Sequence, residues 1–157
     1  LSWAAVVVCV PVGRAAYRAK PTAPRWPVVA ICVWFPAVVI GDTVVVAAGA
    51  WWALDALGAA ALAGVLAQAI LATLTYLSPM LRGRTTAARD HVRIRLEVGA
   101  GPRTALFQVG VGSLVLAAFG IGGATAAAGW VLVALPILHT AVTAMWPLPR
   151  EVTATAP

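Results

Sequence analysis

Charge is scarce in this chain: only 10% of its 157 residues are Asp, Glu, Lys or Arg, and just 5 of these are acidic. A soluble domain carries roughly a quarter, so an ordinary water-exposed globule is excluded. Cysteine and histidine are rare as well, at 2 each. Cys9 and Cys32 both lie in apolar runs, with no CxxC and no His or carboxylate at metal-ligand spacing, and each reads as a small buried apolar residue. Two histidines, His91 and His139, leave little for haem or metal ligation by this chain alone. HExxH, GxSxG, paired intramembrane carboxylates, a P-loop and a Rossmann glycine pattern are all missing, which argues against the catalytic and nucleotide-site classes they mark.

Apolar length is what the sequence has, with 62% hydrophobic residues. A membrane-crossing helix needs about 20 mainly apolar residues, because each rises ~1.5 Å and the hydrocarbon core is ~30 Å thick. That ruler predicts an all-α integral membrane bundle, a single membrane domain over residues 1–157 with five spans at about 1–12, 26–50, 53–81, 104–119 and 125–146. Barrel strands would be ~10 residues long and alternating; these runs are longer and continuous. Gly120, Gly122 and Gly123 supply the tight reversal between the last two spans. The chain enters an apolar stretch at Leu1 with no Met or positive flank, so the first span is expected to be truncated, and the small polar tail Thr153 to Pro157 is expected to fray.

Orientation follows from the cations, since Lys and Arg stay on the cytoplasmic side during insertion. The first loop holds Arg14, Arg18, Lys20 and Arg25; the basic loop 82–103 holds Arg82, Arg84, Arg89, Arg93, Arg95 and Arg103; the tail holds Arg150. With five spans all 11 fall on one side, which predicts a multi-pass protein of the cell inner (plasma) membrane with a cytoplasmic C-terminus. No binding face for nucleic acid remains. Trp3, Trp26, Trp51, Trp52, Trp130 and Trp146 sit near predicted helix ends, where amphipathic rings favour the headgroup layer, and Trp34 alone falls deep.

Helices in lipid associate by close packing and polar contacts rather than by water exclusion. Ala56, Ala60, Gly64, Gln68, Ala72 and Tyr76 recur at i+4, a narrow ridge that drifts ~40° per step and so marks a crossing. Pro36, Pro79 and Pro136 are expected to kink or end their helices.

Ionisable groups at membrane depth are costly and become candidates by default. Asp42, followed by Thr43, either binds a cation or relays protons, or else rests near the outer headgroups or satisfies a helix break after Gly41. His139, near Thr140 and Thr143, either ligates haem or copper or is a satisfied interhelical group. The two are expected on the order of 10 Å apart in depth, with Gln68 placed to hydrogen-bond between helices. Within the basic loop, residues 91–98 fit both strand alternation and helical i+4 spacing; a helix lying on anionic headgroups is preferred, with Arg82, Arg84, Arg89, Arg93 and Arg95 as the lipid contacts.

The stretch from Gln68 through Leu74, Thr75, Tyr76, Leu77, Ser78, Pro79, Met80, Leu81, Arg82, Gly83 and Arg84, then the basic loop and Arg103, Thr104, Ala105 and Leu106, resembles the multi-span membrane region attached to actinobacterial multicopper oxidase and copper nitrite-reductase-like proteins. The resemblance covers about residues 41 to 146. It implies a haem-copper-oxidase-like bundle serving a copper or haem redox system, with a copper redox domain or subunit as partner. The sequence holds no cupredoxin ligand set, so no metal site is carried over. Two functions follow as expectations: a non-catalytic membrane anchor or assembly unit, and a small transporter or channel subunit whose path Asp42, Gln68 and His139 line. Haem-dependent electron transfer is a third, and it would need a ligand from a second chain.

Overall fold

A computed structural model describes residues 2–18, 25–82, 85–120 and 123–147. Lys20, Arg84, Gly122, Arg150 and the tail from Thr153 to Pro157 lie outside the described residues. Within them the chain is helical and holds no strand. Helix α1 covers Ser2–Arg18 and α2 covers Arg25–Ala48. The long α3 runs Trp51–Arg82, followed by α4, Thr86–Glu97, α5, Ala100–Ala118, and α6, Gly123–Met145.

Three of these helices, α2, α3 and α6, are long and apolar enough to cross a membrane, where the sequence predicts five spans. The two that fall short do so for readable reasons. The 17 residues of α1 include Arg14 and Arg18, because the helix continues past residue 12 through the strong helix-forming run Arg14, Ala15 and Ala16. Helix α5 begins three residues before Arg103 and carries Gln108, Gly110 and Gly112 within its 19 residues.

Two turns are set by glycine. Gly49 adopts φ +64° just past α2, and the Ala50 N–H reaches back to the Val45 carbonyl at 3.0 Å while the Gly49 N–H reaches Val46 at 3.3 Å. This pair of bonds is the Schellman closure of a helix end, which needs a left-handed residue there. Gly120, at φ +82°, closes α5 as the glycine cluster predicts. The prolines, by contrast, end nothing. Pro36, Pro79 and Pro136 all lie inside helices, so the expectation of helix ends at these positions is corrected. A membrane helix tolerates the missing donor when neighbours close over it. Pro136 sits wholly buried, and its loss of an N–H frees the Leu132 carbonyl at the level where α5 comes closest.

That closest approach is between glycines. A Cβ on Gly110 would lie 2.9 Å from the Val133 nitrogen and 3.0 Å from the Gly129 oxygen; one on Gly129 would lie 3.1 Å from the Gly110 oxygen. Helices α5 and α6 therefore touch backbone to backbone as an antiparallel pair. Phe107, Val111, Leu114 and Val133 fill the core around the contact together with Ala63 of α3.

The small-residue ridge of α3 is used over most of its length. Ala56, Ala60, Gly64 and Gln68 are buried, Ala72 is half-buried and Tyr76 is exposed. Its persistence has a local cause: Ala60–Ala67 is π-helical, and a π-turn takes in one more residue than an α-turn, which offsets the rotation of an i+4 row. Where α-geometry resumes at Gln68, the row turns outward. Trp34 of α2 packs on Gly64, where a Cβ would stand 2.8 Å from its ring, and Leu57 packs on Gly41 at 2.6 Å. These two contacts fix α2 and α3 as antiparallel, with Gln68 level with about Ala30.

The basic loop contains a helix, as its i+4 spacing predicts. Thr85 caps α4, its hydroxyl oxygen accepting the Ala88 N–H at 3.2 Å. Ala88, Val92 and Leu96 form the buried stripe of α4, and Ala144 of α6 packs against this cluster.

Candidate functional site

The described cations gather at one end of the bundle. Tyr17 at the end of α1 meets Trp26 at the start of α2 with ring centroids 6.4 Å apart, and the Arg25 guanidinium stacks 4.4 Å from the Trp26 ring centre. Trp26 shares a cavity of about 450 Å³ with Gly101 and Thr104 at the start of α5. Arg14, Arg18 and Arg25 thus lie at the same end as Arg82, Arg89, Arg93, Arg95 and Arg103. At the opposite end, Trp52 packs edge-on against Phe119 at 5.7 Å, which brings the α2–α3 and α5–α6 turns together.

Arginines from three segments hold the basic end. Arg82 donates to the carbonyls of Ala144 and Trp146, and Arg95 donates to Pro147 at 3.3 Å. Carbonyls at a helix C-terminus lack intrahelical donors and carry partial negative charge, so cations there satisfy both needs of α6. Arg103 donates through one nitrogen to the Leu96 carbonyl and through the other to His139 Nδ1 at 3.1 Å. Arg93 pairs with Glu97 at 2.9 Å, and that carboxylate holds its guanidinium above the ordinary arginine value. Of the residues expected to touch lipid headgroups, Arg82 and Arg95 thus serve backbone carbonyls and Arg93 an ion pair, while exposed Arg89 also engages a partner.

The three polar candidates do not converge. Asp42 is exposed on α2, and the helix runs unbroken past Gly41 to Ala48, so it satisfies no helix break. It lies twelve residues beyond the level of Gln68, about 18 Å along the axis. His139 is exposed near the basic end, with the Thr143 hydroxyl 3.4 Å from Nδ1 and donating to the His139 carbonyl at 2.7 Å. An Arg N–H can donate only to a ring nitrogen that carries no proton, so the contact from Arg103 puts the ring N–H on Nε2. Gln68 is 0% exposed, yet neither atom of its amide has a hydrogen-bond partner among the described residues.

The interhelical polar bond expected of Gln68 is made instead by Gln108. Its Oε1 accepts the indole N–H of Trp34 at 2.6 Å, joining α5 to α2, while its Nε2 is buried without a partner among the described residues. The signal for this pair was the single deep tryptophan, whose N–H must find an acceptor when buried. Cys9 and Cys32 are free thiols, and beside the latter a Cβ on Gly13 would lie 3.2 Å from that of Cys32. No group of three or more His, Cys, Asp or Glu able to hold a metal occurs among the described residues. Compared with protein-family models, with curated proteins and with solved structures, the chain matches none.

Proposed function

We infer that the chain is a multi-pass integral membrane module with its basic end in the cytoplasm, the three long apolar helices α2, α3 and α6 crossing and the shorter or more polar α1 and α5 completing five crossings beside them, and that it works as an anchor or assembly unit rather than as a catalyst. The observation that carries this reading is the division of the surface. The described arginines collect at one end, while Val33, Val44, Leu62, Leu66, Ile70, Val109 and Leu138 stand exposed along the helices, as lipid-facing residues do. One interior polar contact supports it too, since the Trp34 indole N–H and the Gln108 amide oxygen join α2 to α5. The helix-end stretch from Gln68 to Arg84, through its resemblance to copper oxidase membrane regions, points to a bacterial copper or haem redox system as the setting, with the chemistry in a partner.

Topology is tested by single cysteines at Arg18, Arg93 and Asp55 in a Cys9→Ser, Cys32→Ser background, labelled in intact cells by an impermeant maleimide. The expected result is protection at Arg18 and Arg93 and labelling at Asp55; Arg18 and Arg93 on opposite sides would overturn the layout. The redox setting is tested by purification from native membranes in mild detergent. Copper or haem in stoichiometric amount with the chain is expected, and a colourless, metal-free preparation counts against that setting.

A further inference from the structure

Near the basic end, α6 and α4 enclose a groove of about 490 Å³. One part of its lining is apolar, with Leu135, Leu138 and Val142 along α6; all three are exposed, so the groove faces outward. The other part is polar: Arg95, His139 and Thr143. Arg95 spends an N–H on the Pro147 carbonyl, which leaves most of its donors unspent. The Arg103 bond to Nδ1 leaves His139 with an N–H at Nε2. Arg103 behind His139, and Arg82 on the neighbouring carbonyls of α6, add positive charge to the same place, and among the described residues no carboxylate lines the groove.

A cationic, donor-rich head continuous with an apolar slot is complementary to a molecule with an anionic head and a hydrocarbon tail. We propose that this groove binds one anionic phospholipid, its phosphate between Arg95 and His139 and an acyl chain descending along Leu138 and Leu135. A zwitterionic lipid brings the same phosphate together with a cationic group that the surrounding arginines repel. Free phosphate satisfies the head and gains nothing from the slot. This site rests on the reading of α6 as a membrane span, because only then does the groove open into lipid at headgroup depth, where basic pockets between helices capture anionic heads.

Native mass spectrometry of the full chain in detergent, titrated with phosphatidylglycerol or phosphatidylcholine of identical acyl chains, tests the proposal. One phosphatidylglycerol is expected to be retained about tenfold more tightly than phosphatidylcholine. Arg95→Gln should remove most of that preference by taking the charge, whereas Leu135→Trp should lower retention of both lipids by filling the slot from an exposed position. Arg93→Gln, whose partner is Glu97, should leave the preference intact. Equal retention of the two lipids, unchanged retention in Leu135→Trp, or displacement by equimolar inorganic phosphate would overturn the proposal. The labelling experiment fails independently: an inverted pattern at Arg18 and Arg93 refutes the topology whatever the lipid result.

Discussion

The Trp34 indole N–H reaches Gln108 Oε1 at 2.6 Å from a part-buried setting, so removing the acceptor strands a donor away from water. Gln108→Leu should destabilise the protein, and the coupling measured in a double-mutant cycle with Trp34→Phe should be about 0.6 to 1.7 kcal/mol, the range found for polar pairs between membrane helices. Unfolding in mixed micelles reads this directly. Gln68 presents the opposite case, since an amide sealed in the core with no partner costs stability. Gln68→Met should therefore raise stability by about 1 kcal/mol; a loss instead would mean that the amide is held by water or by a partner. Sequence alone singles out Gln68 because it interrupts a row of small residues. It is silent on the acceptor of Trp34, because α2 and α5 are not neighbours in the chain and their relative register comes from packing around Gly64 and Gly110.

Helix–helix distance, more than helix formation, decides how these elements fit. Gly110 and Gly112 stand two residues apart on α5, but only the first meets another backbone. Gly112→Ala should stabilise by about 0.5 to 1 kcal/mol through reduced backbone entropy, whereas Gly110→Ala should destabilise by about 1 to 3 kcal/mol by forcing α5 and α6 apart. The same thermal melt reports both signs. Arg103 joins α4, α5 and α6 through Leu96 and His139; Arg103→Leu should loosen α4 by about 1.5 to 3 kcal/mol, visible as faster amide exchange over Thr86–Glu97 with α2 unaffected. The existence of most elements is legible in the sequence, because apolar length and i+4 spacing are strong local signals. Their ends are less so. Helix α1 runs six residues past its apolar stretch because hydrogen bonding along a helix does not stop where hydrophobicity does, and of the kink or end expected at three prolines it is the end that does not occur.

Across the whole molecule, the cation distribution that sets the expected orientation also organises the fold. Arg82 lies at the end of α3, Arg95 within α4 and Arg103 at the start of α5, and all three direct donors toward α6 or the helix packed on it. A chain ending at Gly120 loses the acceptors of Arg82 and Arg95 and the backbone partner of Gly110. Its steady-state level should fall several-fold against the full chain, and α6 supplied as a separate polypeptide should restore it; an immunoblot of membranes decides. Arg82 and Arg95 emerge from the ribosome well before the carbonyls they clasp, and Arg103 well before the ring of His139. Until the last helix is threaded, three guanidinium groups wait without their final contacts, so synthesis itself passes through a vulnerable interval that ends only when the final segment arrives as a keystone.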